Sequence, residues 1–302
     1  MPLKNLPLRY KLMVITSGLI IVSLVVLSVI SIRNFTQDKT DLIKLQTNDT
    51  AKLIAEKLRT EISARVEGLQ VFDRFAGFSG ATAKSKKGAR RKPAAAVTDR
   101  ANLSAGSGVL RVSRYLFDAG EIRRGYSRDI VAEQQKVEIA PGAFARDEER
   151  LAERLKAVFR GQTLLLTRTQ SFGKPVWFIA FPVIEGEVAQ RVITAYLSTE
   201  VLDSAFTSRA YTSFFVDSDR ALVVHSDKKE TLAARNFKDH PAVEFLQGQE
   251  TRTGFSIYRN NATKHDYFGA FSKLDIGTTA VVVEMEKDRA LESVNRLRIT
   301  SA

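Results

Sequence analysis

Five side chains in the middle of the chain are of the types that hold a small molecule in a pocket. Ligand pockets combine aromatic walls with a few polar anchors, and an arginine suits a ligand carboxylate. The candidate ligand-binding residues, all on predicted strands, are Tyr126, Arg168, Trp177, Phe178 and Tyr196. The competing interpretation is that the aromatic residues are sheet core. Because side chains alternate along a strand, Trp177 and Phe178 point to opposite faces, so we expect at least one of them in the core.

Catalytic and metal-binding patterns are missing from the sequence. It contains no cysteine, no phosphate-cradling glycine loop, no nucleophile elbow and no H-E-x-x-H zinc motif. The three histidines, His225, His240 and His265, are far apart in sequence, whereas a metal site needs several converging ligands. We therefore predict that the chain is not an enzyme and that it has neither a metal nor a cofactor.

Two acidic patterns have ordinary structural explanations. The run Asp-Ser-Asp at 217–219 lacks the glycine and the distal glutamate of a calcium loop and is typical of a turn. Glu284 and Glu286 alternate along a predicted strand and so share a face, but two carboxylates alone do not make an active site. His225 is expected to line or cap a strand end.

The elements that carry these residues occur in two copies of one pattern. Each copy opens with a strand-turn-strand hairpin, continues with a helix and ends with three strands. The first copy has strands at 109–117 and 122–127, a helix at 146–159, and strands at 162–170, 174–184 and 190–199. The second has strands at 211–216 and 221–226, a helix at 240–246, and strands at 254–259, 264–273 and 278–286. This is an α+β layout, so we predict two tandem modules with antiparallel sheets, at 109–205 and 210–286.

The N-terminal part of the chain contains a transmembrane signal anchor. Residues 12–32 carry no charge, and at about 1.5 Å per residue they cross a hydrocarbon core of about 30 Å. The run is too long for a signal-peptide core, and a buried core helix rarely continues so far without a polar stripe. The leader at 1–11 carries Lys4, Arg9 and Lys11 without an acidic residue, which favours a cytoplasmic N-terminus. The bulk of the chain is then expected outside the inner membrane.

Residues 36–75 are predicted to form a helical stalk. Apolar residues recur three, four or five positions apart for most of its length, which gives an amphipathic stripe. The stripe consists of Leu42, Leu45, Leu53, Leu58, Ile62, Val66, Leu69 and Phe72. It supports either a homodimer through the stalk or packing of the helix on its own domain, and both interpretations stay open.

A basic segment rich in small residues follows at 78–108 and contributes to a net charge of +12. Its cationic cluster consists of Lys84, Lys86, Lys87, Arg90, Arg91 and Lys92. Such a charge attracts polyanions, but the aromatic residues that stack on nucleic acid bases are not interleaved with it. We predict a flexible, solvated loop that leans on anionic lipid, and no nucleic acid partner.

The strands of the two copies resemble one protein family. The phrases "FFVDSDRALVVHSD" at 214–227 and "YRNNATKHDYFGAFSKLDIGTTAVVVEMEKDRAL" at 258–291 look like the membrane-proximal module of a double Cache domain. The phrase "GKPVWFIAFPVIEGEVAQRVITAYLSTEVL" at 173–202 looks like the closing strands of its membrane-distal module. The resemblance covers about residues 36–290. It implies that the modules at 109–205 and 210–286 are PAS-like, the first membrane-distal and the second membrane-proximal. It further implies an extracytoplasmic sensor of a chemoreceptor, histidine kinase or nucleotide cyclase, which relays binding of an unknown small molecule across the membrane.

Two departures from the family pattern bear on the ligand. The Arg-x-Trp-Tyr-like motif of members that bind amines and amino acids is absent, and Tyr196 aligns with the aspartate that grips the ligand amine in those members. No site residue is therefore carried over from the family, and an amino acid ligand is not expected. The segment 287–302 resembles the helix that leads toward a second membrane span. The alternative function is a membrane-anchored structural or adhesion-like protein without a small ligand or an output module.

Overall fold

One long helix precedes two modules in the computed structural model, which describes residues 7–81, 108–118, 121–185, 188–208, 210–233 and 235–292. The helices are α1 Leu8–Ala81, α2 Val131–Val137, α3 Ala143–Phe159, α4 Thr169–Phe172, α5 Lys228–Ala233, α6 Pro241–Gln247 and α7 Lys287–Ala290, with a 3-10 helix at Thr199–Ala205. The strands are β1 Val109–Asp118, β2 Glu121–Asp129, β3 Leu164–Thr167, β4 Val176–Glu185, β5 Val188–Ser198, β6 Thr212–Val216, β7 Leu222–His225, β8 Thr253–Arg259, β9 Asp266–Lys273 and β10 Ala280–Glu286.

Helix α1 continues from the apolar segment into the predicted stalk without a break. Its 74 residues contain no proline, and at about 1.5 Å per residue the helix extends about 110 Å. Its apolar window has a mean hydropathy of 2.7 and no buried residue, so by length and composition the helix can cross a membrane. The segments predicted at 12–32 and 36–75 are therefore parts of one continuous helix.

Both modules contain a five-stranded antiparallel sheet with the same topology. The distal sheet has the order β2-β1-β5-β4-β3 and the proximal sheet the order β7-β6-β10-β9-β8. All of these pairings are antiparallel. In each sheet the opening hairpin lies at one edge and the last strand lies at the centre. The repeat in the sequence is thus a repeat of topology, and the predicted α+β class with two tandem modules is confirmed.

Helix α1 packs against one face of both sheets. Ile43 belongs to a small apolar cluster with Phe268 of β9, whereas Phe72, farther along the helix, meets the ring of Tyr126 on β2. The proximal sheet is therefore the one nearer to the apolar segment along α1. Leu58 and Ile62 lie between these points in the largest buried cluster of the protein. Burying a side chain of this size contributes about 1.5–3 kcal/mol to stability.

The apolar stripe of α1 is divided between two surfaces. Leu58, Ile62, Leu69 and Phe72 are buried against the sheets, and Val66 packs beside them. Leu42, Leu45 and Leu53 are instead 55%, 60% and 66% exposed. Packing on the chain's own domain therefore accounts for the second part of the predicted stripe and leaves the first part uncovered.

A shorter helix covers the opposite face of each sheet. In the distal module this helix is α3, which buries Phe144, Leu151, Leu155 and Val158. In the proximal module it is α6, which buries Ala242, Val243 and Leu246. The proximal cavity and the contacts of Asp147 with Arg168 and Tyr196, both described below, lie on this helix-covered side of each sheet, away from α1.

Several predicted boundaries differ from the observed ones. Helix α3 begins at Ala143, three residues before the predicted start, because Gly142 (φ 74°) ends the preceding turn in a left-handed conformation. The strand predicted at 162–170 is shorter: β3 ends at Thr167, and the next residues form the single turn α4. Helices α2 and α5 were not predicted from the sequence.

Three predicted segments fall partly outside the described residues. Helix α1 extends to Ala81, so the first four residues of the segment predicted as a loop from residue 78 are helical, and residues 82–107 lie outside the description. In the predicted leader, residues 1–6 lie outside it. At the other end, α7 (Lys287–Ala290) begins the predicted terminal helix, and residues 293–302 lie outside the description.

Candidate functional site

Three of the five predicted ligand-binding residues meet between the distal sheet and α3. Arg168 directly follows β3, and its guanidinium donates two hydrogen bonds to Asp147 of α3, the one from Nε at 2.8 Å. The hydroxyl of Tyr196, on β5, donates to the same carboxylate at 3.0 Å. The ring of Phe178, on β4, lies 4.9 Å from the ring of Tyr196. These four residues are termed the distal cluster.

Aromatic side chains close around the distal cluster. The rings of Phe144 and Phe172 lie 4.9 Å and 5.6 Å from the ring of Tyr196. Burial, reinforced by the negative charge of Asp147, raises the pKa of the Tyr196 hydroxyl, so this group stays a hydrogen-bond donor. The distal cluster thus presents the charged guanidinium of Arg168 and the neutral hydroxyl of Tyr196 within a wall of aromatic rings.

Asp147 holds both polar groups of the distal cluster. Arg168 already makes a bidentate ion pair with this buried carboxylate. A ligand carboxylate can therefore bind Arg168 only if it displaces Asp147 or shares the guanidinium with it. In its predicted role as an anchor for a ligand carboxylate, Arg168 is therefore contested by the carboxylate of Asp147.

Asp147 and its neighbour Glu148 were not among the residues predicted from the sequence. Glu148 is also buried: Arg111 Nε and Arg124 Nη1 each donate to it at 2.9 Å. Both acids precede Leu151 on the face of α3 that carries the apolar stripe, at helical spacings of four and three. Acidic residues on the apolar face of an amphipathic helix are the signal that could have identified them.

Trp177 and Tyr126 lie on the other face of the distal sheet. Trp177 is fully buried in the cluster that packs against α1, and its indole N–H donates to the Ser198 carbonyl at 3.2 Å. The hydroxyl of Tyr126 donates to Asp73 of α1 at 3.3 Å, and the guanidinium of Arg114 lies 4.8 Å from its ring centroid. The structure therefore does not bring these two predicted residues to the distal cluster.

Hydrogen bonds join the distal cluster to the proximal module. The backbone N–H of Thr167, next to Arg168, donates to Asp217 in the β6–β7 turn at 2.6 Å. Arg154 of α3 pairs with Asp219 in the same turn, with Nη2 to Oδ1 at 2.8 Å. Burial raises the pKa of Asp217 to about 6, although three backbone N–H groups bond the carboxylate and act to lower it. The Thr167–Asp217 and Arg154–Asp219 contacts are termed the module joint.

The proximal module contains a cavity of about 570 Å³. It lies on the side of the sheet that carries α6, and its wall includes His225, Asp227, Glu230, Arg235, Phe237, Asp239, His240, Asn260, Tyr267 and Glu284. Small-ligand pockets have volumes of about 300–1,000 Å³. A larger hollow, of about 920 Å³, follows α1 from Leu24 to Asp41, a helix surface that includes part of the apolar segment.

Glu284 and His240 lie next to each other in the wall of the proximal cavity. The hydroxyl of Tyr258 donates to Glu284 Oε2, and His240 Nε2 lies 3.8 Å from the same oxygen. Burial lowers the pKa of His240 to about 4, with repulsion from His225 as a further cause, and burial raises the pKa of Glu284 to about 7. The ring of His240 stacks on Phe237 at 5.2 Å.

Glu286, His265 and Asp288 form a group at the end of β10 whose ligand atoms lie within 4.8 Å of one another. His265 Nδ1 is 2.9 Å from Glu286 Oε1, and His265 and Asp288 are exposed. An ion pair at the surface explains this spacing, and no metal site is assigned to it. The prediction that Glu284 and Glu286 share a strand face holds, but only Glu284 is buried.

Comparisons with known proteins identify the fold. No family model and no curated protein matches the sequence. The ligand-binding domain of the Pseudomonas fluorescens chemoreceptor CtaA, solved with L-isoleucine, is 15% identical with a TM-score of 0.51, covering 85% of this chain and 98% of that one. The sensory domain of the Campylobacter jejuni chemoreceptor Tlp3 is 10% identical with a TM-score of 0.47, covering 84% and 98%. The likeness to the CtaA domain shows that the chain shares the fold of a chemoreceptor ligand-binding domain, as its resemblance to double Cache domains predicted.

Proposed function

We propose that the chain is the extracytoplasmic ligand-sensing region of a bacterial signal-transduction receptor, anchored in the inner membrane by residues 12–32. The observation that carries this proposal is the continuity of α1, which runs unbroken from the apolar segment to the faces of both sheets. The CtaA domain with the same fold was solved with a small molecule bound, which supports a small-molecule ligand here. The output is of the chemoreceptor, sensor kinase or nucleotide cyclase type.

The distal cluster is the proposed ligand site. Arg168 and Tyr196 supply polar anchors of fixed orientation, and Phe178 supplies part of the aromatic wall. Tyr126 and Trp177 are not included, because they lie on the sheet face that packs against α1. The ligand offers an acceptor to Arg168, in competition with Asp147.

The module joint is the proposed route from the distal cluster to the membrane. A ligand that draws Arg168 away from Asp147 shifts the neighbouring residue Thr167, whose N–H holds Asp217. The proximal sheet then shifts against α1, on which it packs. Such a relay requires that the ligand bind one arrangement more tightly than the other.

A homodimer through α1 is part of the proposal. Leu42, Leu45 and Leu53 are exposed, and their spacings of three and eight place them on one helical face. Because this face points away from the chain's own sheets, a second copy of α1 can bury it.

The alternative function is a membrane-anchored structural or adhesion-like protein. One observation favours it: the polar groups of the distal cluster already satisfy one another, so the cluster is stable without a ligand. In that case the module joint and α1 serve only stability.

A ligand screen on the full chain in lipid nanodiscs tests the proposal. Trp177 is the only tryptophan, so its fluorescence reports thermal unfolding of the distal module. A ligand at one hundred times its dissociation constant adds about 2.7 kcal/mol to the stability. Carboxylates, amino acids, purines and polyamines form the panel.

We expect one class of ligand to raise the unfolding midpoint, and Arg168→Ala to abolish that shift. Arg150→Ala removes an exposed arginine of the same helix that carries Asp147 and is the matched control, which should keep the full response. If no compound shifts a folded, cooperative sample, the structural alternative replaces the sensor proposal.

A further inference from the structure

The proximal cavity contains a buried carboxylate that lacks a strong cationic partner. Glu284 is 6% exposed. Among the described residues, the only basic group within 4 Å of its carboxylate is the His240 ring, at 3.8 Å. Burial lowers the pKa of that ring to about 4, so it is neutral and does not compensate the charge of Glu284. Near and above the pKa of Glu284, about 7, a negative charge therefore faces the cavity without a counter-ion.

The charged side chains around this carboxylate favour a cation over an anion. Asp227, Glu230 and Asp239 line the same cavity, and Arg235 is its one basic lining residue that is charged at neutral pH in the described part of the chain. The Arg235 guanidinium is 3.2 Å from Glu230 and is thus already paired. The field of such a wall attracts small cations and repels small anions.

The remaining walls suit an organic cation better than a hydrated inorganic one. The rings of Phe237, His240 and Tyr267 line the cavity, and aromatic faces attract ammonium groups. His240 also keeps a buried Nδ1 without a hydrogen-bond partner. The volume of about 570 Å³ is that of a drug-sized compound and exceeds what a single metal ion needs.

We propose that the proximal cavity is a second ligand site, which binds a small organic cation, a primary amine or a quaternary ammonium compound, with Glu284 as its counter-ion. The cationic head pairs with the Glu284 carboxylate, and the organic part lies against Phe237 and Tyr267. This site is separate from the distal cluster, so the inference holds or fails independently of the sensor proposal.

Matched probes on the full chain in nanodiscs test the site. The probes are 2-phenylethylamine, 2-phenylethanol and 3-phenylpropionate, which share the ring and differ in the charge of the head group, and choline serves as the quaternary probe. Binding is measured by titration calorimetry at pH 8. We expect at least one of the two cations to bind saturably with one site per chain, and the alcohol and the carboxylate to bind at least tenfold more weakly. Equal binding of the alcohol, or no binding of either cation, would overturn the proposal.

The variant Glu284→Gln tests whether Glu284 is the counter-ion of the bound cation. We expect it to weaken cation binding at least tenfold, because the amide is neutral and of nearly the same shape. Glu244→Gln makes the same change at an exposed carboxylate of α6 outside the cavity wall, and should leave the affinity unchanged. An unchanged affinity in a folded Glu284→Gln protein would also overturn the proposal.

The pH dependence of the unmodified protein gives a second readout that does not depend on the folding of a variant. The neighbouring ionisable groups, from every element around the cavity, are His225, Asp227, Glu230, Arg235, Asp239, His240, Tyr258, Tyr267, Glu286 and Arg289. Because Glu284 gains a proton near pH 7 as the pH falls, the affinity for the cation should fall about tenfold from pH 8 to pH 6. The affinity for the alcohol should not change over the same range. A flat profile for the cation would contradict the role of Glu284. Any pH dependence of cation affinity that remains in Glu284→Gln is due to the other ionisable groups around the cavity.

Discussion

Glu284 and His240 are adjacent ionisable residues whose pKa values are shifted by burial in opposite directions. Burial raises the pKa of Glu284 to about 7 and lowers that of His240 to about 4. Both shifts favour the uncharged form, because the interior solvates a charge poorly. Their effects on stability therefore have opposite signs across the acidic range, and a variant of one residue separates them.

We predict that Glu284→Gln is increasingly stabilised relative to the unmodified protein as the pH rises from about 4.5 to 7. In that window the folded state holds a proton on Glu284 that the unfolded chain has released, so the unmodified protein loses stability with rising pH. Glu284→Gln has no carboxyl group at this position and does not lose stability in this way as the pH rises. The difference in unfolding free energy should change by about 3 kcal/mol over the window.

Denaturant unfolding of both proteins at pH 4.5 and 7 measures this difference. His240 is present in both, so its own loss of stability, which develops as the pH falls from 6.5 toward 4, largely cancels. A difference that stays constant between the two pH values would show that Glu284 is not desolvated in the folded protein.

The sequence predicted the residue types of the sites better than their partners. Alternation along β4 correctly placed Trp177 and Phe178 on opposite faces, but it could not say which face α1 covers. Asp147 was missed because an aspartate within a charged helix reads as a solvated residue. Only the fold places it beside Arg168 and Tyr196, which come from segments far along the chain.

At the scale of elements, α1 presents two apolar faces with different surroundings. Residues from Leu58 to Phe72 pack against the sheets, whereas Leu42, Leu45 and Leu53 remain exposed. Exposed apolar patches on an otherwise ordinary surface mark interaction sites. The exposed face is the one that the proposed homodimer uses.

We predict that Leu45→Glu converts the proposed homodimer to a monomer. Leu45 lies at the centre of the exposed set, and a carboxylate there meets its own copy across a parallel dimer. Light scattering of the full chain in detergent measures the mass. Gln37→Glu adds the same charge at an exposed position of α1 that lies about 80° or more around the helix from the three leucines, and should stay dimeric. A protein that is monomeric before any substitution would refute the dimer.

The sequence predicted elements well where periodicity was sustained. Alternation and turn residues located the strands to within about two residues of their observed ends, apart from β3. The helices α2, α4 and α5 were missed because none is longer than seven residues, which is too short for a sustained helical repeat. The strand predicted at 162–170 ran too far, because nothing in Arg168 or Thr169 signals the turn that forms there.

At the scale of the whole molecule, the two modules are linked by α1 on one side and by the module joint on the other. Asp217 is the central residue of the joint, because its carboxylate accepts hydrogen bonds from the N–H groups of Thr167, Asp219 and Ala221. The topology of both modules was predictable from the repeat and from the family resemblance. The joint was not, because the same Asp-Ser-Asp run serves equally well as an isolated turn.

We predict that Asp217→Ala destabilises the protein by about 3 kcal/mol and separates the unfolding of the two modules. The change leaves buried backbone donors without an acceptor, each of which costs about 1–3 kcal/mol. Thermal unfolding followed by Trp177 fluorescence for the distal module, and by circular dichroism for the whole chain, should then give two different midpoints. Asp239→Ala, at an exposed aspartate of the same module, should unfold in one transition at the original midpoint. Coincident transitions in Asp217→Ala would mean that α1 and the Arg154–Asp219 pair couple the modules without Asp217.

The central position of the last strand in each sheet also has a consequence for biosynthesis. Because a chain is synthesised from its N-terminus, α1 and the opening hairpins are made long before the strands that complete the sheets. The distal sheet is complete once β5 has emerged at Ser198, whereas the proximal sheet waits for β10, which ends at Glu286. Synthesis therefore imposes an order, in which the distal module can close first, and the α1 residues that pack on the proximal sheet stay uncovered until β10 has been made.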